Sequence, residues 1–355
     1  MAEVYIWLLP VATILALLSD QNSVVQKSVR KRMISQFSFF VLLLLLIIVS
    51  GLRYQVYGDT DEYRYRNGVL NLIGANFDLS DYTIFDEPGN YILYWISANV
   101  FKNDQAYIFI TAMITVSLIL FAFRRESENF TLTIFLFIAS GSFFYSFSAI
   151  RQYLAAAIVL WATKYIRSRE IKKYVVYVFI ASLIHVTAWL LVLLCFIPRI
   201  KNYRTLNFGL VISSIVLTIN MPLVLKFVLT NSDFSNYLDK EYYGMSTIRV
   251  VVWIFTYILI FFGVTKMKSV DENQVVSFEM TVASMCCYIM GLSFVYFGRL
   301  EIYFGLGAMC IVDFIYKGFK ARGRVLIVYP FMILFSLYGL YSSSLLQAYR
   351  FYFGG

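Results

Sequence analysis

Val41-Leu-Leu-Leu-Leu-Leu-Ile-Ile-Val49, inside the uncharged block Phe37 to Leu52, is a stretch that a water-soluble domain could not leave exposed. About 30 Å of hydrocarbon takes about 20 mostly apolar helical residues to cross, and this block with its flanks has that length. The same texture recurs along the chain. Segments near 4–19, 37–53, 105–123, 130–148, 151–166, 173–184, 186–197, 206–220, 248–266, 277–297, 300–316 and 325–343 are apolar and separated by short polar links. The pattern predicts an all-α polytopic membrane protein of about 12 transmembrane helices, with residues 1–355 forming a single transmembrane domain. Two longer polar stretches break the rhythm, an outer loop at 53–104 and a second at 231–247.

Composition agrees. The chain is 60% hydrophobic and 14% charged, with a mean hydropathy of +0.71. Soluble domains run near 45–50% and about 25%. The formal charge of +9 is scattered singly between apolar blocks, so it points to membrane lipids and not to nucleic acid. Cys195, Cys286, Cys287 and Cys310 lie inside apolar segments with no metal-ligand spacing, so neither a disulfide framework nor a metal site is expected. The first positive residue is Lys27, so Val4 to Leu18 lacks the basic lead of a signal peptide and reads as a retained helix. No motif for a nucleotide or other cofactor is present.

The links between spans alternate in charge. One set carries Lys27, Arg30, Lys31 and Arg32; Arg124 and Arg125; Lys164, Arg167, Arg169, Lys172 and Lys173; Arg199, Lys201 and Arg204; Lys266 and Lys268; and Lys317, Lys320, Arg322 and Arg324. These are 20 of the 30 basic residues, and the positive-inside tendency makes their side cytoplasmic. The other side holds 10 basic and 13 acidic residues. Lys173 to Ile197 has basic clusters at both ends, so it must enter and leave on one side; we expect a hairpin of two short helices with His185 at its outer turn. Gly89 to Phe101 is too short to span comfortably and is expected as a re-entrant or surface helix on the outer side.

Against that background several outer-face residues are out of place. Arg151, Arg249 and Arg299 sit at or near helix starts, where the helix dipole disfavours a cation by about 0.3–1 kcal/mol. Arginine at membrane depth costs several kcal/mol more unless paired. An anion held between the three would reverse both penalties, because guanidinium groups grip phosphate oxygens in pairs. The alternative is that each pairs with a loop carboxylate or with lipid headgroups. His185 is the single histidine and a candidate general base; equally, it is a turn histidine satisfied by backbone carbonyls. Asp59 and Asp61, with Glu62 beside them, could ionise a sugar hydroxyl or hold a metal, though no calcium-loop spacing is present, or simply belong to a solvated loop. Tyrosines cluster at the same edge, Tyr63 and Tyr91 among them, as an interfacial belt or as stacking surfaces for sugars.

Four motifs, in order, resemble the Wzy-type polysaccharide polymerases of the EpsG group. They are Arg53-Tyr54 with Gly58-Asp59-Thr-Asp61-Glu-Tyr63; Glu87-Pro88-Gly-Asn-Tyr91; Ala149-Ile-Arg151-Gln152-Tyr-Leu-Ala155; and Ala181-Ser-Leu-Ile-His185-Val-Thr187-Ala188. The chain departs from the family pattern in carrying two aspartates in the first motif, so either Asp59 or Asp61 is the equivalent residue.

The resemblance implies a fold similar to the multi-helix lipid-linked glycosyltransferases (GT-C-like). It implies a glycosyltransferase without cofactor in the bacterial cytoplasmic (inner) membrane, working on its periplasmic or outer face in O-antigen, lipopolysaccharide or exopolysaccharide synthesis. Such an enzyme moves a growing glycan from undecaprenyl diphosphate to the non-reducing end of another lipid-linked repeat unit, with a chain-length regulator protein as a further partner. On this reading His185, Asp59 and Asp61 are the catalytic candidates. Arg151, Arg249 and Arg299 bind the diphosphate, and Arg53, Glu87, Gln152, Tyr63 and Tyr91 face the sugar. The rival readings are a flippase or transporter of lipid-linked oligosaccharide and a membrane acyltransferase. A transporter needs internal repeats and midplane charges, and neither stands out here.

Overall fold

The computed structural model describes residues 1–20, 29–54, 61–199, 203–230, 245–265, 272–344 and 349–352. Among these residues there are helices and one isolated antiparallel bridge, Arg53 with Phe351, and no sheet. The helices are α1 Ala2–Ser19, α2 Val29–Gly51, α3 Asp61–Leu70, α4 Pro88–Asn99, α5 Asp104–Glu126, α6 Phe130–Ala139, α7 Ser142–Tyr145, α8 Ile150–Arg167 and α9 Ile171–Ile184. A 3₁₀ helix, Val186–Arg199, follows. Then come α10 Tyr203–Thr230, α11 Thr247–Thr265, α12 Glu272–Gly291, α13 Val295–Met309, α14 Asp313–Gly318, the single turn α15 Ala321–Gly323, a π-helical stretch Arg324–Val328, and α16 Tyr329–Ser344.

Six of the described helices are long and apolar enough to cross a membrane: α1, α2, α5, most of α10, α11 and the run Arg324–Ser344. The chain is an all-α polytopic membrane protein. The remaining expected spans are shorter or more polar. The segment read as one span over 130–148 is broken, because Gly141 adopts φ +80° and ends α6 before the short α7. The segment 300–316 is likewise divided between α13 and α14. At the other extreme, α2 begins at Val29 and so carries Arg30, Lys31 and Arg32 on its first turn.

The hairpin at His185 is present. The Tyr174 hydroxyl of α9 donates to the Leu191 carbonyl at 2.7 Å. Those residues are 17 apart and would be about 25 Å apart in a continuous helix. The 3₁₀ form stretches the second arm. At about 2.0 Å per residue its 14 residues cover about 28 Å, close to a bilayer core, where an α-helix would cover about 21 Å.

Polar contacts sort the helix ends into two groups. At one end Arg124 meets Ser35, Arg167 meets Glu126, and Glu128 meets both Lys317 and Gln274. At the other, Gln105 meets the Gly51 carbonyl, Arg53 meets the Phe147 carbonyl, and Gln152 meets the Arg299 carbonyl. The basic residues 30–32, 124–125 and 317 therefore share the first end. Helix α8 is the hub of the bundle, packing on α5, α9, the 3₁₀ helix, α12 and α13. Its buried run Ala155-Ala156-Ala157 lets neighbouring backbones approach closely, as small residues do where lipid supplies no hydrophobic drive.

Helices α3 and α4 cap the second end. Twelve residues make α4 about 18 Å long, short of a full crossing. The cap is fastened by Arg66 of α3, which reaches Glu62 and Asp104 at 2.8 Å each and Gln105 at 2.5 Å.

Candidate functional site

The Glu87-Pro88-Gly89 sequence explains how α4 meets the hairpin. Proline at the first helical position has its φ already set and no amide to satisfy. Gly89 is needed for close approach, since a Cβ there would lie 2.9 Å from the Leu183 carbonyl at the end of α9. The start of α4 is thereby pressed against the turn that holds His185. Glu87 itself takes the left-handed conformation, φ 57° and ψ 53°. For a residue with a Cβ this costs about 1–2 kcal/mol, and such outliers concentrate at functional sites.

The strained glutamate holds the site together. Its Oε1 lies 2.6 Å from His185 Nδ1 and accepts from the Val186 amide at 3.2 Å. Its Oε2 accepts from Arg151 Nη1. Three of the four sequence motifs, separated by 64 and 98 residues, thus converge on one carboxylate. Burial pushes that carboxyl up, but the His185 hydrogen bond, the Arg151 and His185 charges and the Val186 N–H outweigh it and hold Glu87 below the usual glutamate range. An ionised carboxylate can only accept, so Nδ1 of His185 carries the proton. The lone pair of a neutral imidazole is then on Nε2, which has no hydrogen-bond partner among the described residues.

Around this core the walls are aromatic. The Arg151 guanidinium lies 5.8 Å from the Tyr65 ring centre. Tyr65, Tyr107 and Tyr94 form a stack with centroid spacings of 5.8 and 4.6 Å. Tyr107 donates to Asn90 at 2.7 Å, fixing the first turn of α4. Thr187 and Tyr303 share a hydrogen bond of 2.8 Å that joins the 3₁₀ helix to α13. Gln152 donates to the Arg299 carbonyl at 2.7 Å, so the first turns of α8 and α13 are tied.

The expected arginines fall into two places. Arg151 belongs to the Glu87–His185 cluster, and exposed Arg299 stands next to it through Gln152, with no ion pair among the described residues. Arg249 is elsewhere. Its Nη2 lies 3.7 Å from buried Glu301, its plane faces Tyr145 at 4.1 Å, and it lines a separate cavity with residues of α7 and α16. Carboxylate pairing, the alternative to a shared anion, is therefore present for Arg151 and for Arg249.

The sugar-facing candidates also divide. Tyr63 is 59% exposed. Arg53 is 1% exposed, its guanidinium spent on the Ser50 and Phe147 carbonyls and the Phe147 ring. Tyr91 is packed against Tyr82 at 4.5 Å and Phe77 at 6.0 Å. Gln152 is spent on Arg299. Glu87 is a connector between His185 and Arg151. Asp59 lies outside the described residues, and so does the side chain of Asp61, whose backbone begins α3. Most of the second outer loop, 231–244, is outside them too. Among the described residues no group of His, Cys, Asp and Glu is arranged to hold a metal.

With the geometry in view, comparison with known families is decisive. A family model described as "EpsG family" matches residues 36–353. The chain belongs to the EpsG family. Membership makes it a membrane protein of polysaccharide biosynthesis, of the polymerase type. No curated protein and no solved structure matches the chain.

Sequence reading missed the roles of Tyr65, Thr187, Tyr303 and Glu301. Thr187 was visible inside the histidine motif. Glu301 had a signal as well, being an acid next to an apolar block and two residues from Arg299.

Proposed function

We propose that this EpsG-family protein polymerises lipid-linked repeat units, transferring a growing glycan from undecaprenyl diphosphate to the non-reducing end of another lipid-linked unit. The observation that carries this is the convergence of Arg151 and His185 on the Glu87 carboxylate at the end of the bundle away from the basic clusters. By the positive-inside tendency that end faces the outer side of the bacterial cytoplasmic membrane.

In this reading His185 Nε2 takes the proton from the acceptor hydroxyl. The hydroxyl oxygen forms the new bond to the anomeric carbon while the bond from that carbon to the diphosphate oxygen breaks. The electron pair leaves with the diphosphate, and Arg151 and Arg299 meet the growing charge. Contacts that strengthen as charge develops accelerate the step. Glu87 keeps the imidazole in the required tautomer, as a carboxylate does in hydrolase triads, and pre-sets Arg151. Asp59 and Asp61 remain alternative bases. Tyr63 is the exposed ring available for stacking on sugar; Arg53, Tyr91 and Gln152 support the walls. A chain-length regulator would act on the assembled enzyme.

The test is polymerisation by the purified protein in lipid nanodiscs supplied with its lipid-linked repeat unit. A glycan ladder is expected from the wild type and none from His185→Ala. No ladder in nanodiscs, together with repeat units that cross the bilayer of sealed proteoliposomes without growing in length, would instead identify a flippase.

A further inference from the structure

At the basic end of the bundle, α8 and α9 share an aromatic cluster. The Tyr165 and Tyr177 rings stack at 5.4 Å with 11° between their planes, and Trp161 meets them edge-on at 6.0 and 5.2 Å. Two lysines, one from each helix, stand against it. Lys164 Nζ is 3.3 Å from the Trp161 ring centre and 4.8 Å from that of Tyr165, and Lys173 Nζ is 5.6 Å from the Tyr165 centre. Both ammonium groups thus flank one ring. Arg125 of α5 donates to the Trp161 carbonyl at 2.9 Å, which brings a third cation to the same turn.

The acids at this turn do not balance the cations. Glu126 is spent on Arg125 and Arg167, and Glu170 is shared between Lys173 and the Ser168 hydroxyl. Lys164 and Arg169 make no ion pair among the described residues. Arg169 also takes the left-handed conformation, φ 60°, at a turn where glycine would fit without strain. Lys164 is the informative residue. It stands near the last turn of α8, where a lysine can extend past the helix end into water. Its ammonium is instead folded back over Trp161, one turn nearer the hydrocarbon. Cation–π attraction holds it there, yet a cation at that depth is costly without an anion. The cluster borders lipid: Ile180, seven residues after Lys173 and so on the same face of α9, is exposed. Tryptophan and tyrosine collect where headgroups meet hydrocarbon.

We propose that α8 and α9 bind one anionic phospholipid at the basic end of the bundle, its phosphate between Lys164 and Lys173 and its glycerol backbone against Trp161, Tyr165 and Tyr177. Basic surfaces between membrane helices on the cytoplasmic side suit such headgroups. The site lies at the opposite end of the bundle from Glu87 and does not depend on the polymerase reading.

The experiment is native mass spectrometry of the detergent-solubilised protein, titrated separately with phosphatidylglycerol and with phosphatidylcholine of the same acyl chains. Wild type retains one phosphatidylglycerol about tenfold more tightly than phosphatidylcholine, in keeping with two basic residues at a lipid surface. The double variant Lys164→Gln, Lys173→Gln loses that preference and binds phosphatidylcholine as before. The double variant Lys164→Arg, Lys173→Arg keeps the cations and the preference. Lys320→Gln, at a basic residue of the same end outside the cluster, keeps it too. A wild type without the preference overturns the proposal, as does a double-glutamine variant that retains it. Loss of the preference in the double-arginine variant or in Lys320→Gln also overturns it.

Discussion

Among the described residues Glu126 and Glu87 each bridge two basic side chains, and they do different work. At the basic end, Glu126 takes Arg167 at 2.5 Å and Arg125 at 2.7 Å through the same oxygen, while Arg125 also donates to the Trp161 carbonyl at 2.9 Å. All three residues lie at ends of regular helices, α5 and α8. The contacts close on themselves and lock those helices in register. At the other end, Glu87 divides its oxygens between Arg151 and His185. It does so from a strained loop position, and one partner is a titratable ring with a nitrogen left open. A carboxylate bridging two basic side chains is thus not diagnostic of a site by itself. Backbone strain and an unspent proton acceptor distinguish the site from the lock.

Substitutions should separate the two. His185→Ala has the largest expected effect, a fall in polymerisation of about 10²–10⁴-fold, the range for loss of a general base. Melting temperature and yield should stay near wild type. Glu126→Ala should do the reverse, lowering stability by about 1–3 kcal/mol through two arginines left with an unmet partner, with turnover per folded molecule nearly unchanged. Chemical denaturation alongside a polymerisation assay reads both, and matching activity losses would erase the contrast.

Glu87→Gln comes next. It preserves the shape but removes the charge that selects the His185 tautomer and draws in Arg151. Polymerisation should drop about tenfold or more, a milder loss than removal of the orienting carboxylate causes in a triad. Polymerisation per folded molecule checks it, and a rate equal to that of wild type would contradict the orienting role of Glu87.

The smallest effect is on acid stability. Glu87 is held below the usual glutamate value of about 4.3, so its contribution to stability is complete above that pH and fades as pH falls through the lower, folded-state value. Wild type and Glu87→Gln should therefore differ in melting temperature at pH 6 and draw together below about pH 4. A constant gap across that range would contradict the assignment.

Much of this architecture was written in the sequence, and the reason is physical. Spans are legible because lipid tolerates few charges, so Val41 to Val49 and its counterparts announce themselves. The hairpin at His185 followed from the basic clusters on either side of 173–197. The stretched 3₁₀ form of its second arm did not, because helix type depends on how far the chain must reach between fixed ends. The break at Gly141 was hidden within an apolar run over 130–148, since hydropathy ignores φ. In the site, motif order pointed to Glu87, Arg151 and His185 individually. Their convergence is a long-range fact, set by Gly89 against Leu183, which no local pattern encodes. The separation of Arg249 from Arg151 is of the same kind: both sit at helix starts, and tertiary packing assigns them to different cavities.

The most direct test of the account is polymerisation by purified wild-type, His185→Ala and Arg167→Gln proteins in nanodiscs, each given the same lipid-linked repeat unit and normalised to folded protein. The account predicts a glycan ladder for wild type and for Arg167→Gln, and single repeat units alone for His185→Ala. A ladder of wild-type length from folded His185→Ala would contradict it.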